Sequence, residues 1–200
     1  MKNMLFAVTI GVALAAFSSH TNDPLPIGSP LPKADVKLKD ISGAEVSLGQ
    51  ALSGKGLLVM FSCNTCPYVM RNQERTLEAC RHAREMGVGV VILNSNEAQR
   101  DAGDSFDDMQ SYAKEQGYAW YYLLDDQSKI ADAFGANRTP ECFLFNGQGK
   151  LVYHGAIDDN PADPSSVTRK HLVAALDEMT AGKDITVKES RSVGCGIKRL

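Results

Sequence analysis

Two cysteines separated by two residues can form a redox-active disulfide, hold a soft metal or staple a loop. The stretch "LLVMFSCNTCPYVMRN", residues 57–72, sets such a pair, Cys63 and Cys66, at the end of an apolar run. Closing so small a loop adds little stability, which argues against a static staple. A tetrahedral metal site needs further ligands at ligand spacing, but His20, His82, His154 and His171 are scattered singly along the chain. Attachment of haem through C-x-x-C requires His at the next position, and that position is Pro67. A dithiol/disulfide switch is the chemistry that fits best, and its reactive form is a thiolate.

A thiolate is favoured where a helix begins, because the first backbone N–H groups are unpaired and the macrodipole is positive there. The flanking residues predict such a junction. "KGLLVMFS" is a continuous apolar run of strand length, as expected of a central strand buried on both faces. From Pro67 to Met86 the spacing becomes helical, with Pro67 suited to the first turn. Met70, Leu77 and Cys80 share one stripe, and Arg71, Glu74, Arg75 and Glu78 fall outside it. Cys63 is therefore expected to be the nucleophile and Cys66, one turn on, the resolving thiol.

The rest of the chain predicts one α/β domain. "DVKLKD" reads as an edge strand and "ISGAEVSLGQAL" as a turn with a short helix. "GVGVVILNSN" is a second buried strand. "DSFDDMQSYAKEQG" is a helix with Asp104 or Ser105 as N-cap and Gly117 as its stop. "AWYYLL" is a strand, "QSKIADAFGA" a helix, and "ECFLF", "NGQG" and "KLVYHG" spell a hairpin. "SSVTRKHLVAALDEMTAG" is a last helix capped by Ser. Strands alternating with helices imply a mostly parallel sheet covered on both sides, with the hairpin adding an antiparallel edge.

Residues 1–20 have the layout of a signal peptide: Lys2, an apolar stretch from Met4 to Phe17, then small and polar residues. The alternative is an uncleaved anchor helix. Residues 21–35 form a proline-rich lead-in, 36–185 the domain and 186–200 a C-terminal tail. With a formal net charge of −3 and no basic stripe, nothing points to nucleic acid, and membrane contact is expected only through the signal peptide. An exported location, periplasmic or secreted, permits disulfides, and five cysteines leave at least one unpaired. Cys80 and Cys142 read as core residues. Cys195, flanked by Gly194 and Gly196, reads either as a free thiol or as a resolving partner for the pair. "DDNPADP" lacks the Gly and terminal Glu of a calcium loop, and Asn94 and Asn96 read as a turn and cap or as contacts to the site.

Thr139-Pro140 directly precedes a strand, and here the chain resembles the thioredoxin fold. The resemblance implies a central mixed sheet flanked by helices on both faces, with an N-terminal extension. It also implies a cis Pro140 facing the cysteine pair, with Thr139 offering its backbone to substrate. "CNTCPYVMRN", "NSN", "RTPECFLF", "YHGAIDDN" and "GCGIK" narrow it to the peroxiredoxin-like branch of the AhpC/TSA redoxins. Two activities follow as expectations. In thiol–disulfide exchange, Cys63 attacks and Cys66 resolves. In a thiol peroxidase, Cys66 attacks hydroperoxide, Cys63 stands where that group has Thr, and Arg138 lies near its Arg. A Cu(I)-carrying dithiol is the remote alternative. Thr65, Pro67, Arg138 and Cys195 are accessory candidates. No cofactor or metal is expected; the partners expected are a disulfide or hydroperoxide substrate and a thiol–disulfide electron-donor protein.

Overall fold

Apolar runs and amphipathic stretches fold into the following elements in a computed structural model that describes residues 23–200. They are β1 (Lys37–Asp40), β2 (Glu45–Ser47), α1 (Leu48–Ala51), β3 (Leu57–Ser62), α2 (Pro67–Arg71), α3 (Gln73–Glu85) and β4 (Gly89–Asn94). There follow α4 (Phe106–Gln116), β5 (Tyr121–Leu124), α5 (Lys129–Phe134), β6 (Arg138–Thr139), β7 (Glu141–Phe145), β8 (Leu151–Gly155), α6 (His171–Thr180) and β9 (Cys195–Gly196). The predicted signal peptide, residues 1–20, lies outside the described residues. Among those described, no helix is long and apolar enough to cross a membrane.

A seven-stranded sheet runs in the order β2-β1-β5-β4-β3-β7-β8. Only β3–β4 and β4–β5 are parallel. The sheet is mixed, as the resemblance implied, rather than mostly parallel. "DVKLKD" is not the edge: a turn closed by the Gly43 N–H on the Asp40 carbonyl (2.7 Å) returns the chain, so Glu45–Ser47 pairs back on β1 and becomes the edge itself.

β3 lies inside the sheet, and the two-residue period of an extended chain splits its side chains between two cores. Leu57, Val59 and Phe61 join Leu48, Ile130, Phe134 and Phe143 on one face. Leu58 and Met60 join Ala79, Cys80, Met109 and Leu172 on the other. Each such side chain contributes about 1.5–3 kcal/mol on full burial, so β3 and the loop that follows it rest on a stiff base.

Two helices differ from expectation. The helix over 67–86 is interrupted at Asn72, where the backbone opens to ψ 1° and the side-chain amide joins the residue's own N–H on the Tyr68 carbonyl, at 2.7 and 3.1 Å. The break resets the helical phase. Met70, expected on the inner stripe, is 54% exposed, and Arg75, expected outside, turns in to Asp158 at 2.6 Å. The last helix starts at His171, not among the serines, because Asp159 accepts the Thr168 and Arg169 N–H groups (3.0 Å each) and holds that segment as a loop. Ser105 caps α4 in a reciprocal box with Asp108, and Gly117 ends that helix.

Candidate redox site

Sheet register assembles the site. β3 and β7 are antiparallel with Phe61 opposite Glu141, so two residues further on Cys63 faces Thr139. The Cys63 Sγ lies 3.5 Å from the Thr139 Oγ1. The Thr139-Pro140 bond is cis. Glu141 pins the preceding turn: one carboxylate oxygen accepts the Asn137 and Arg138 N–H groups at 2.7 and 3.0 Å, and the other lies 2.8 Å from the His154 Nε2. Arg138 does not arrive as a partner for sulfur; its guanidinium donates to the Gly194 carbonyl at 3.4 Å.

The loop between the cysteines is tied down by a residue the sequence reading took only as a helix cap. Asp104 is fully buried. Its Oδ1 accepts the Asn64 N–H (2.7 Å) and the Asn94 amide (2.8 Å). Its Oδ2 accepts the Thr65 hydroxyl and the Asn96 amide, both at 3.0 Å. A carboxylate offers about four acceptor sites, so Asp104 is saturated and acts as an anchor for the Asn64-Thr65 dipeptide. Asn94 and Asn96 thus belong to the site's support. The available signal was "NSN" itself, three polar residues at the end of an apolar strand.

The two thiols differ in charge preference, with the anion favoured at Cys66. The helix starts at Pro67, which makes Cys66 and not Cys63 its N-cap. The Cys66 pKa is held down to about 4, first by the Cys63 S–H donating to its sulfur, then by the Cys195 thiol and by the Val69 and Cys195 N–H groups. Cys66 makes no full cap hydrogen bond, so the neighbouring thiols outweigh the helix end. When protonated, it donates to the Thr139 carbonyl at 3.4 Å. The Cys63 pKa moves up, chiefly because its proton is shared with Cys66 and because it is buried.

Of the remaining cysteines, Cys80 and Cys142 lie in the core on the Leu58–Met60 face, where burial pushes both thiols up. They are therefore inert core residues in this arrangement. Cys142→Ser buries a hydroxyl in apolar surroundings and is expected to cost about 1–3 kcal/mol. Disulfide exchange at 25 °C should stay within twofold of the parent, about 0.4 kcal/mol of barrier. Urea unfolding and a turnover assay on the same preparation check both halves. Cys195, by contrast, packs on Cys63, Cys66 and Val69, and β9 pairs with β6 so that Cys195 lies opposite Thr139.

Residues 26–172 match the model of the Redoxin family. A hypothetical protein from Sinorhizobium meliloti 1021, known as a crystal structure, is 32% identical with a TM-score of 0.81, over 89% of this chain and 97% of that one. An uncharacterized conserved protein from Geobacillus kaustophilus is 34% identical with a TM-score of 0.79, over 88% and 93%. The thiol-disulfide oxidoreductase ResA of Halalkalibacterium halodurans is 25% identical over 115 residues, 58% of this chain and 61% of its own length. With the match running from the lead-in into α6, across both cysteines and the Thr139-Pro140 turn, the chain belongs to the Redoxin family.

Proposed function

We propose that the protein is a thiol–disulfide oxidoreductase with Cys66 as attacking thiolate and Cys63 as resolving thiol, working in the exported location its N-terminus implies. The observation that carries this reading is the placement of the pair: both sulfurs lie on the Thr139 edge, at 3.5 Å from its hydroxyl and 3.4 Å from its carbonyl, and the neighbouring donors favour the anion at Cys66. The name carried by the ResA relative supports it. The Cys66 thiolate attacks one sulfur of a substrate disulfide and the other sulfur leaves as a thiolate. Cys63 then gives its proton to that leaving group and attacks Cys66, expelling the second substrate sulfur as a thiolate. The substrate departs with both sulfurs reduced, one as the thiol and the other as a thiolate that takes a proton from water, and the Cys63–Cys66 disulfide remains. A dithiol donor protein restores it.

A second reading, a thiol peroxidase, is favoured by the same charge on Cys66, the position at which the resemblance places the peroxide-attacking residue. Arg138, however, is engaged by Gly194 and supplies no cation to the sulfur. Mixing the reduced full chain with oxidised glutathione and, separately, with hydrogen peroxide distinguishes the two. Disulfide exchange should be lost in Cys66→Ser and stall as a glutathione adduct on Cys66 in Cys63→Ser, with peroxide consumed no faster than by a free thiol, within about tenfold. Rapid peroxide consumption that disappears in Cys66→Ser would make the peroxidase the function. An adduct found on Cys63 instead would restore the order read from the sequence.

A further inference from the structure

The tail is docked along its length. The His154 N–H donates to the Lys188 carbonyl and the Ser190 N–H to the His154 carbonyl, at 2.9 and 3.0 Å. The Ser190 hydroxyl accepts the Ala156 N–H at 2.9 Å. This close approach requires Gly155, at φ +147°, since a Cβ there would stand 2.2 Å from the Ser190 Oγ. The chain then crosses the cysteines and pairs with β6. There Gly194 is needed, because a Cβ would stand 2.1 Å from the Thr139 carbonyl oxygen. Beyond β9, Ile197 bonds Asn137 and Lys198 bonds Asn96, at 3.1 and 3.0 Å. Arg199 reaches Asp132 at 2.8 Å.

Under this strap Cys63 is 0% and Cys66 3% exposed, while Cys195 is only partly buried. The cleft beside Pro140, bounded by Asn72, Ile157 and Val193, holds about 10 Å³. A donor protein has no path to the buried pair while the strap is closed, but it can reach Cys195.

We propose that Cys195 is a third redox cysteine, which takes the disulfide over from the buried pair and presents it to the donor protein as Cys66–Cys195. The proposal rests on the dithiol reading above. Cys195 loses its proton and attacks the Cys66 sulfur; the bond to Cys63 breaks, and the proton ends on Cys63. One disulfide replaces another, so no oxidant is consumed. A donor dithiol then attacks Cys195 and becomes a disulfide, and Cys66 and Cys195 return to thiols.

Two measurements on the full chain test this. In the first, Cys63→Ser is reduced, treated with diamide, alkylated in acid and mapped by mass spectrometry. A Cys66–Cys195 cross-link within one chain is expected as the main product; Cys195 recovered alkylated, with Cys66 joined to another chain, overturns the proposal. In the second, the oxidised protein and its Cys195→Ser variant are reduced by thioredoxin and by dithiothreitol. Cys195→Ser should slow reduction by thioredoxin at least about tenfold more than reduction by dithiothreitol, because a small dithiol needs no surface relay. Equal loss with both reductants, or no loss with thioredoxin, makes the strap a cover only and sinks the relay. If neither wild type nor Cys195→Ser forms the Cys63–Cys66 disulfide, the dithiol reading fails and the relay falls with it. Formation in both separates that failure from a failure of Cys195 alone.

Discussion

The thiolate absorbance of the reduced protein should persist in acid down to about pH 4 and disappear in Cys66→Ser, because Cys66 is the thiol whose pKa is held down to about 4. The sign follows from the donors. An ordinary thiol with a pKa near 8.5 is roughly 3% ionised at pH 7, whereas Cys66 is ionised across the neutral range because the Cys63 S–H, the Cys195 thiol and two backbone N–H groups point at its anion. Cys63→Ala deletes the first of these donors and should move the midpoint upward; Cys63→Ser keeps an O–H in its place and should move it less. Absorbance that survives Cys66→Ser and is lost in Cys63→Ala would assign the charge to Cys63 and overturn the order argued here. The consequence for reactivity is a change in role more than in speed. Lowering a thiol's pKa raises its thiolate fraction but lowers its intrinsic nucleophilicity, while making it a better leaving group. Cys66 is therefore suited to being expelled from mixed disulfides.

That charge assignment marks where sequence reasoning stopped. β3 was legible because five successive apolar residues, Leu57–Phe61, have only one way to be buried on both sides of a sheet. The pair at its end was legible because C-x-x-C has few chemical uses. The pairing of Cys63 with Thr139 spans 76 positions, and only the resemblance to a known fold brought them together; the register of β3 on β7 is its physical cause. What stayed hidden depended on side chains finding partners across the fold. Asn72 interrupts a helix whose spacing looked continuous, because its backbone opens to ψ 1° there, a local change that the residue pattern does not mark. Asp104 carries no local mark that separates a cap from a buried anchor, since Asn64, Thr65, Asn94 and Asn96 reach it from two other strand ends. The tail has no strand-like run at all. It docks through backbone groups and through glycines that permit close approach, so composition reads it as a loose end.

Asp104→Ala should lower stability by about 3–5 kcal/mol, the range for removing one partner from a buried charged network. The loss follows from the donors left behind. The mutation strips the acceptor from the Asn64 N–H, the Thr65 hydroxyl and the amides of Asn94 and Asn96. Each buried donor without a partner costs about 1–3 kcal/mol. Neighbours recover part of it, since Asn94 also reaches the Tyr122 hydroxyl at 3.2 Å. Urea unfolding measures the change; a loss below about 1 kcal/mol would mean that water or rearranged side chains satisfy the cluster. A role in positioning the redox pair requires more than lost stability. Asn64 and Thr65 hold the spacing between the two cysteines, and the charge of Asp104 contributes to the upward shift at Cys63. Asn96 links the anchor to the strap, donating to Asp104 and accepting the Lys198 N–H at 3.0 Å. In Asp104→Asn, which keeps the volume and removes the charge, Cys63 should ionise at lower pH and Cys195 should alkylate faster as the strap loosens. If both stay at their wild-type values while stability falls, Asp104 supports the fold alone, and the geometry of the pair is set by β3 and the Thr139 edge.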